Sequence, residues 1–451
     1  MEGMVDTENA KKGSFAQAVK AGALSFLETV KSGPDIFFIL LVVLYVAAEY
    51  SKRINWTDGT YTLYTSNFLN IAVVFGSGAY LCYKLAVWKK LWKEPALLVL
   101  AVLVLMGASG GLFFYLNEDW RARRVIYAVV FEIFLCLMAY GKNFKRLMQW
   151  VLLVPILTLV IAGLGRALGF TQDMTKTELG RTTSSLGIIY PNTWGYIAFQ
   201  AMLIGWYLYL RKKNALSYAL TFVLFWGMAA FMYFIIGCKT IAVLSLAFPL
   251  FSGIIVWLES RERKPGKKPG IVAWLFFALP ALCYLLTVVL GFQMEWVGET
   301  FYDTPLHTMA MRFVQGGIAL EYFGFPLFGH SMRITEYVGH VINGTAETLY
   351  VMDNAYSSFT ITKGVLWMAG CLALLTAAQW KGWKHKDYGI MAIGGFMLVF
   401  ALMERPGLEL WYNFVLLYPL ASLAEPVSHK GELKKYFFGD KKQHRKRRGK
   451  K

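Results

Sequence analysis

No DxD, HExxH or P-loop sequence occurs in the chain, so nothing in it points to a bound metal ion or to ATP, and no cofactor is expected. No CxxC pair occurs either. The five cysteines (Cys82, Cys136, Cys238, Cys283 and Cys371) lie in or at the ends of apolar blocks; they read as free, buried thiols that say nothing about redox compartment. The first 33 residues lack an early apolar core, which argues against a cleavable signal peptide. Charged residues make up only 16% of the chain.

What is present in excess is apolar. The sequence is 57% hydrophobic, against about 45–50% for a soluble domain. The excess falls in blocks of roughly 17–25 residues, the length that crosses about 30 Å of hydrocarbon as a helix. In lipid each backbone amide must be satisfied within its own segment, so such blocks must be helical. The reading predicts spans near 35–50, 67–83, 95–116, 122–141, 147–165, 192–210, 216–236, 239–258, 271–291, 355–380, 387–403 and 408–424. The fold class is therefore an all-α, polytopic membrane helix bundle of about twelve transmembrane helices.

The formal charge of +18 raises nucleic acid as a partner, but the distribution argues against it. Most Lys and Arg sit in short loops between apolar blocks. With the N-terminus placed inside, the inside segments hold 33 of the 46 basic residues. The positive-inside rule then puts both termini in the cytoplasm. Residues 1–34 form a cytoplasmic N-terminus. Within them Phe15, Val19, Ala23, Phe26 and Val30 share one helical face opposite Gln17, Lys20, Glu28 and Lys31, which suits a helix lying on the membrane surface. Residues 35–424 form the transmembrane domain. Residues 425–451 form a basic tail whose Lys441–Lys451 stretch is expected against anionic headgroups, each basic residue adding about 1 kcal/mol.

Two outer loops stand out, 166–191 and the large extracytoplasmic loop 292–354. The aromatic and aliphatic content of the second predicts order, with Ile318–Tyr322 in a short helix lying on the bilayer. Cations on the outer side break the topological rule and need a reason. They are Arg181, Lys239, Arg312, Arg333 and Arg405, which together suit a cationic pocket for phosphate or pyrophosphate. A local carboxylate is the simpler partner for Arg405, which follows Glu404. Function is favoured for Arg181 and Lys239, because near-membrane cations are costly unless used. Asp353 is a candidate proton acceptor, with helix capping as its competing role. His330 is a weaker candidate. Glu132, inside the fourth span, is the residue that most favours a transporter.

Several motifs, in order from about 180 to 415, resemble those of Wzy-type polysaccharide polymerases in the O-antigen polymerase/ligase group. They are Arg181 with Leu186-Gly187 and Tyr190-Pro191-Asn192, then Cys238-Lys239-Thr240, then Arg312 through Pro326-Leu327-Phe328-Gly329. Asp353-Asn354-Ala355-Tyr356 with Lys363-Gly364 follows, and last Glu404 with Asn413. The chain carries Tyr190, Lys239 and Ser357 where the family pattern has His, Arg and Leu. The resemblance implies a GT-C-like, metal-independent glycosyltransferase in the bacterial plasma membrane. Its substrates would be undecaprenyl-pyrophosphate-linked oligosaccharides, and a flippase and chain-length regulators would be its partner proteins. Arg181, Lys239 and Arg312, supported by Arg333, would stabilise the lipid-pyrophosphate leaving group. Asp353 or His330 would act as base, with Tyr190, Asn192, Tyr356, Glu404 and Arg405 binding substrate. A ligase-like glycan transferase and a lipid-linked oligosaccharide flippase are the alternatives.

Overall fold

The computed structural model describes residues 34–58, 68–69, 71–73, 75–76, 132, 135–136, 138–139, 142–178, 181–211, 215–261, 269–304, 306–329, 339–342, 345–348 and 352–421. The expected spans at 67–83, 95–116 and 122–141 lie largely outside them, as do the N-terminal surface helix and the basic tail. The described chain is mostly helical. In chain order it has α1 (Pro34–Ser51), α2 (Phe144–Ala167), a hairpin of β1 (Thr175–Glu178) and β2 (Arg181–Ser184), α3 (Pro191–Gly205), α4 (Ala215–Phe231), α5 (Lys239–Arg261) and α6 (Ile271–Phe292). Then come α7 (Met294–Phe301), α8 (His307–Phe323), a second hairpin of β3 (Gly339–Ile342) and β4 (Thr345–Thr348), α9 (Ala355–Thr362), α10 (Val365–Lys384) and α11 (Tyr388–Met403). π-helical turns extend α3 to Leu210 and α4 to Ile236.

Phe144–Ala167, Ala215–Ile236 and Ile271–Phe292 are long and apolar enough to cross a membrane; at 1.5 Å per residue, 22 residues span about 33 Å. Their outward faces are apolar too: Leu220, Val223 and Trp226 on α4 and Leu275, Leu282 and Leu286 on α6 are exposed. A helix apolar on every side is made for lipid or for a core. At the centre stands α11, with 14 of its 16 residues buried, packed on α5, α6 and α10.

Three local expectations are corrected. Residues 355–380 do not form one helix. The chain breaks between α9 and α10 at Gly364, whose φ of +94° only glycine adopts without strain. The first amides of α10 are met by the outer loop instead, Val365 N–H donating to the Pro326 carbonyl (2.9 Å) and Leu366 N–H to that of Leu327 (3.3 Å). Residues 408–421 are not an α-helix either. Pro406 and Gly407 begin a path of two 3₁₀ turns, Arg405–Leu408 and Phe414–Leu417. Asn413 ties them together, donating to the Gly407 carbonyl (2.7 Å) and accepting from Val415 N–H (3.2 Å). Such backbone survives at membrane depth only when enclosed by protein, and Leu408, Tyr412, Val415 and Tyr418 are all fully buried. Finally, Ile318–Tyr322 do not lie on the bilayer as a separate helix. They belong to α8, which enters the bundle with Phe313, Val314, Gly317 and Ile318 buried. The Gly316-Gly317 pair permits this, because the Cα of Gly317 meets the backbone of Gly291 on α6.

The connecting segments sort to two ends of the bundle. At one end residues 53–57 pair with the 170–189 loop, through bridges Ile54–Ile188 and Trp56–Thr171. At the other, Asp387 accepts from Tyr207 (2.7 Å) and Tyr418 (3.0 Å) and pairs with Arg211. Lys381 there donates to the carbonyls of Tyr418 (3.1 Å), Pro419 (2.9 Å) and Ala421.

A methyl group at residue 317 would collide with the Gly291 backbone, whereas Gly205 has open space around it. Gly317→Ala should cost about 1–3 kcal/mol through overpacking, seen as a lower thermal unfolding midpoint in detergent. Gly205→Ala should leave that midpoint unchanged or raise it.

Candidate functional site

Five elements bring polar side chains together at the end that holds the 166–191 loop. The carboxylate of Glu404 is the buried centre, with the residue 3% exposed. It follows the last turn of α11, where its N–H closes on the Phe400 carbonyl (2.9 Å). Tyr196, on the second turn of α3, donates its hydroxyl to Oε2 at 2.5 Å. Thr240, in the first turn of α5, also hydrogen-bonds the carboxylate. Arg312, from the middle of α8, stands with Nη2 3.5 Å from Oε1. Burial pushes the Glu404 carboxyl above the ordinary carboxylate range, while Arg312, Tyr196 and Thr240 pull it back.

The other edge of the Arg312 guanidinium pairs through Nη1 with Asp353. Asp353 is the exposed member of the group, its side chain 31% accessible against 14% for Arg312. It does not cap α9. The cap is Asn354, whose side chain accepts from Tyr356 N–H (3.0 Å) and Ser357 N–H (3.2 Å) and donates to Thr287 (3.4 Å). The competing structural role for Asp353 is therefore already filled by its neighbour.

Of the residues singled out in the sequence, Arg312, Asp353 and Glu404 converge. Lys239 is exposed at the start of α5, next in sequence to Thr240. Arg181 opens β2, paired in register with Glu178; its side chain lies outside the described residues. Thr183 on the same strand packs against Gly237, so the backbones carrying Arg181 and Lys239 run close together. Tyr190 and Asn192 are exposed at the N-terminal end of α3. Arg405 stands apart from the cluster, its Nε 3.3 Å from Glu409 and its guanidinium over the Phe359 ring. That pairing is the local one expected for it, though with Glu409 rather than Glu404. Tyr356 is not at the site: it is fully buried and donates to the Leu398 carbonyl (3.0 Å) inside the bundle. His330 and Arg333 lie outside the described residues.

Sequence reasoning missed Tyr196 and the partner of Glu132. A tyrosine in an apolar block reads as packing, and only its one-turn offset from Gln200 hinted at a polar stripe. Gln200 is likewise buried, donating to the carbonyls of Trp411 (3.0 Å) and Tyr412 (2.7 Å). Glu132 is held by Lys363 at 3.0 Å, with both side chains 5% exposed. Lys363 also sits 4.1 Å from the Phe359 ring centre. Glu132, the residue that favoured transport, is thus the partner of Lys363. No known protein family, curated protein or solved structure matches the chain.

Removing one partner of a buried ion pair leaves an uncompensated charge, at a cost of about 3–5 kcal/mol. Lys363→Met should therefore sharply lower the thermal midpoint of the purified protein, and adding Glu132→Gln should restore most of the loss. Equal midpoints for the single and double variants would contradict the pairing. At the site, Tyr196→Phe removes the shortest donor to Glu404 and should cost about 1–3 kcal/mol by the same measurement.

Proposed function

We propose that the chain is an integral membrane glycosyltransferase that polymerises undecaprenyl-pyrophosphate-linked oligosaccharide repeat units on the outer face of the bacterial plasma membrane. The observation that carries this reading is the meeting of Arg312, Asp353 and Glu404 at one end of an apolar helix bundle. All three lie in the motifs that resemble polysaccharide polymerases. In the full reading the bundle has twelve spans, both termini are cytoplasmic, and this end faces outward beneath the 292–354 loop.

The chemistry assigned to the site is a displacement. An acceptor sugar hydroxyl attacks the anomeric carbon of the donor. The bond from that carbon to the diphosphate oxygen breaks, and its electron pair leaves on the lipid diphosphate. Asp353 takes the hydroxyl proton, suited to this by its exposure and by its freedom from capping. His330 remains the second candidate base. Negative charge builds on the leaving diphosphate, and fixed cations lower the barrier by meeting it. Lys239, on an exposed helix start beside Thr240, and Arg181 and Arg333 are assigned to that task. Tyr190 and Asn192, exposed at the mouth, are placed to contact sugar. Anionic headgroups take the basic tail, and a flippase and chain-length regulators are the expected protein neighbours.

Deleting the gene should leave single repeat units in place of surface polymer. Asp353→Ala, and separately Arg312→Ala, should reproduce that loss with normal membrane levels of the protein. Activity should fall by about 10²-fold or more for removal of a proton acceptor. Polymer that persists in both variants would sink the site assignment. Loss of glycan transfer to a second acceptor, with polymer intact on undecaprenol, would identify a ligase instead.

A further inference from the structure

The guanidinium of Arg312 is shared by two carboxylates that differ in every physical respect. Glu404 is buried, and Tyr196 (2.5 Å) and Thr240 hold it from two other helices. It has no room to leave. Asp353 is partly exposed, stands in the short extended segment before α9, and is spared from capping by Asn354. At rest two carboxylates share the one guanidinium between them, so an incoming anion must compete for it. Lys239 on α5, Arg53 after α1, the Arg166–Asp173 pair and the Arg405–Glu409 pair are among the other charged groups at this end of the bundle.

We propose that Asp353 is an exchangeable partner of Arg312: a diphosphate entering the mouth takes its place on the guanidinium and leaves the aspartate free to accept the acceptor's proton. The planar fork of arginine serves a phosphate as well as a carboxylate. Glu404 keeps the opposite edge of the fork fixed throughout, so the guanidinium need not be re-aimed. The exchange makes donor binding the event that unmasks the base. A hydroxyl, of sugar or of water, meets an occupied carboxylate until the leaving group is in place. The inference rests on the transferase reading for its purpose, but its physical content is a competition between two anions for one cation.

The test is anion binding, which needs no turnover. The full-length chain, purified in detergent, is titrated with inorganic pyrophosphate by calorimetry. Asp353→Asn removes the competitor with little change of shape and should tighten binding roughly tenfold, within the range typical of coupled sites. Arg312→Gln should abolish binding. The double variant should bind no better than Arg312→Gln, since the gain from Asp353→Asn passes through the guanidinium. Thermal unfolding of each variant establishes that it is folded. Binding by Asp353→Asn that is no tighter than wild type would overturn the proposal. So would a gain that persists in the Arg312→Gln background, which would mark a diffuse charge effect, or an absence of binding in all four proteins. Surface-polymer analysis tests the transferase reading separately: an intact exchange without polymer synthesis refutes that reading alone, and polymer synthesis without exchange refutes this one.

Discussion

A carboxylate almost without contact with water must be compensated, and at Glu404 that requirement falls on one arginine. Glu404 follows the central helix α11, and α11 packs against α5, α6, α8, α9 and α10. Arg312 reaches it from α8, Tyr196 from α3 and Thr240 from α5. The compensation therefore fixes where three surrounding helices stand relative to the central one. It also draws the segment before α9 inward through Asp353. Coulomb attraction across about 4 Å is worth several-fold more at a protein's edge than in bulk water. That difference makes the ends of such a bundle the places where polar side chains do most to order it.

The opposite end follows the same logic with different parts. Asp387 gathers two tyrosine hydroxyls and Arg211, and Lys381 gathers three backbone carbonyls. Between the ends some polar groups are matched, as Gln200 is with the carbonyls of 411 and 412, whereas the amide of Gln379 and the hydroxyl of Tyr412 are buried without a hydrogen-bond partner. Helices in lipid gain little from apolar contact with one another, so close backbone approach and interhelical hydrogen bonds carry more of the association. Gly291 and Gly317 supply the close approach, and these scattered polar contacts supply the bonds.

Much of this was legible in the sequence, for a simple reason. Hydropathy sees the solvent that a segment faces, and the apolar blocks at 147–165, 216–236 and 271–291 coincide with helices of spanning length. It averages over backbone geometry, so it could not see Gly364 turning one predicted span into two helices, nor Pro406 and Gly407 diverting the last block into 3₁₀ turns. Arg312 drew notice as a cation on the outer side, Asp353 as a proton acceptor and Glu404 through its place in a motif. Their mutual contact did not, because residues 312, 353 and 404 come together only through the packing of α8 against α6 and of α9 against the turn after α11. Asp353 and Asn354 compete for one capping role, and sequence alone does not say which of two adjacent capping residues takes it.

The three carbonyls held by Lys381 belong to the last described residues, and Ala421 is among them. One ammonium thereby does for these three carbonyls what backbone amides do inside a helix.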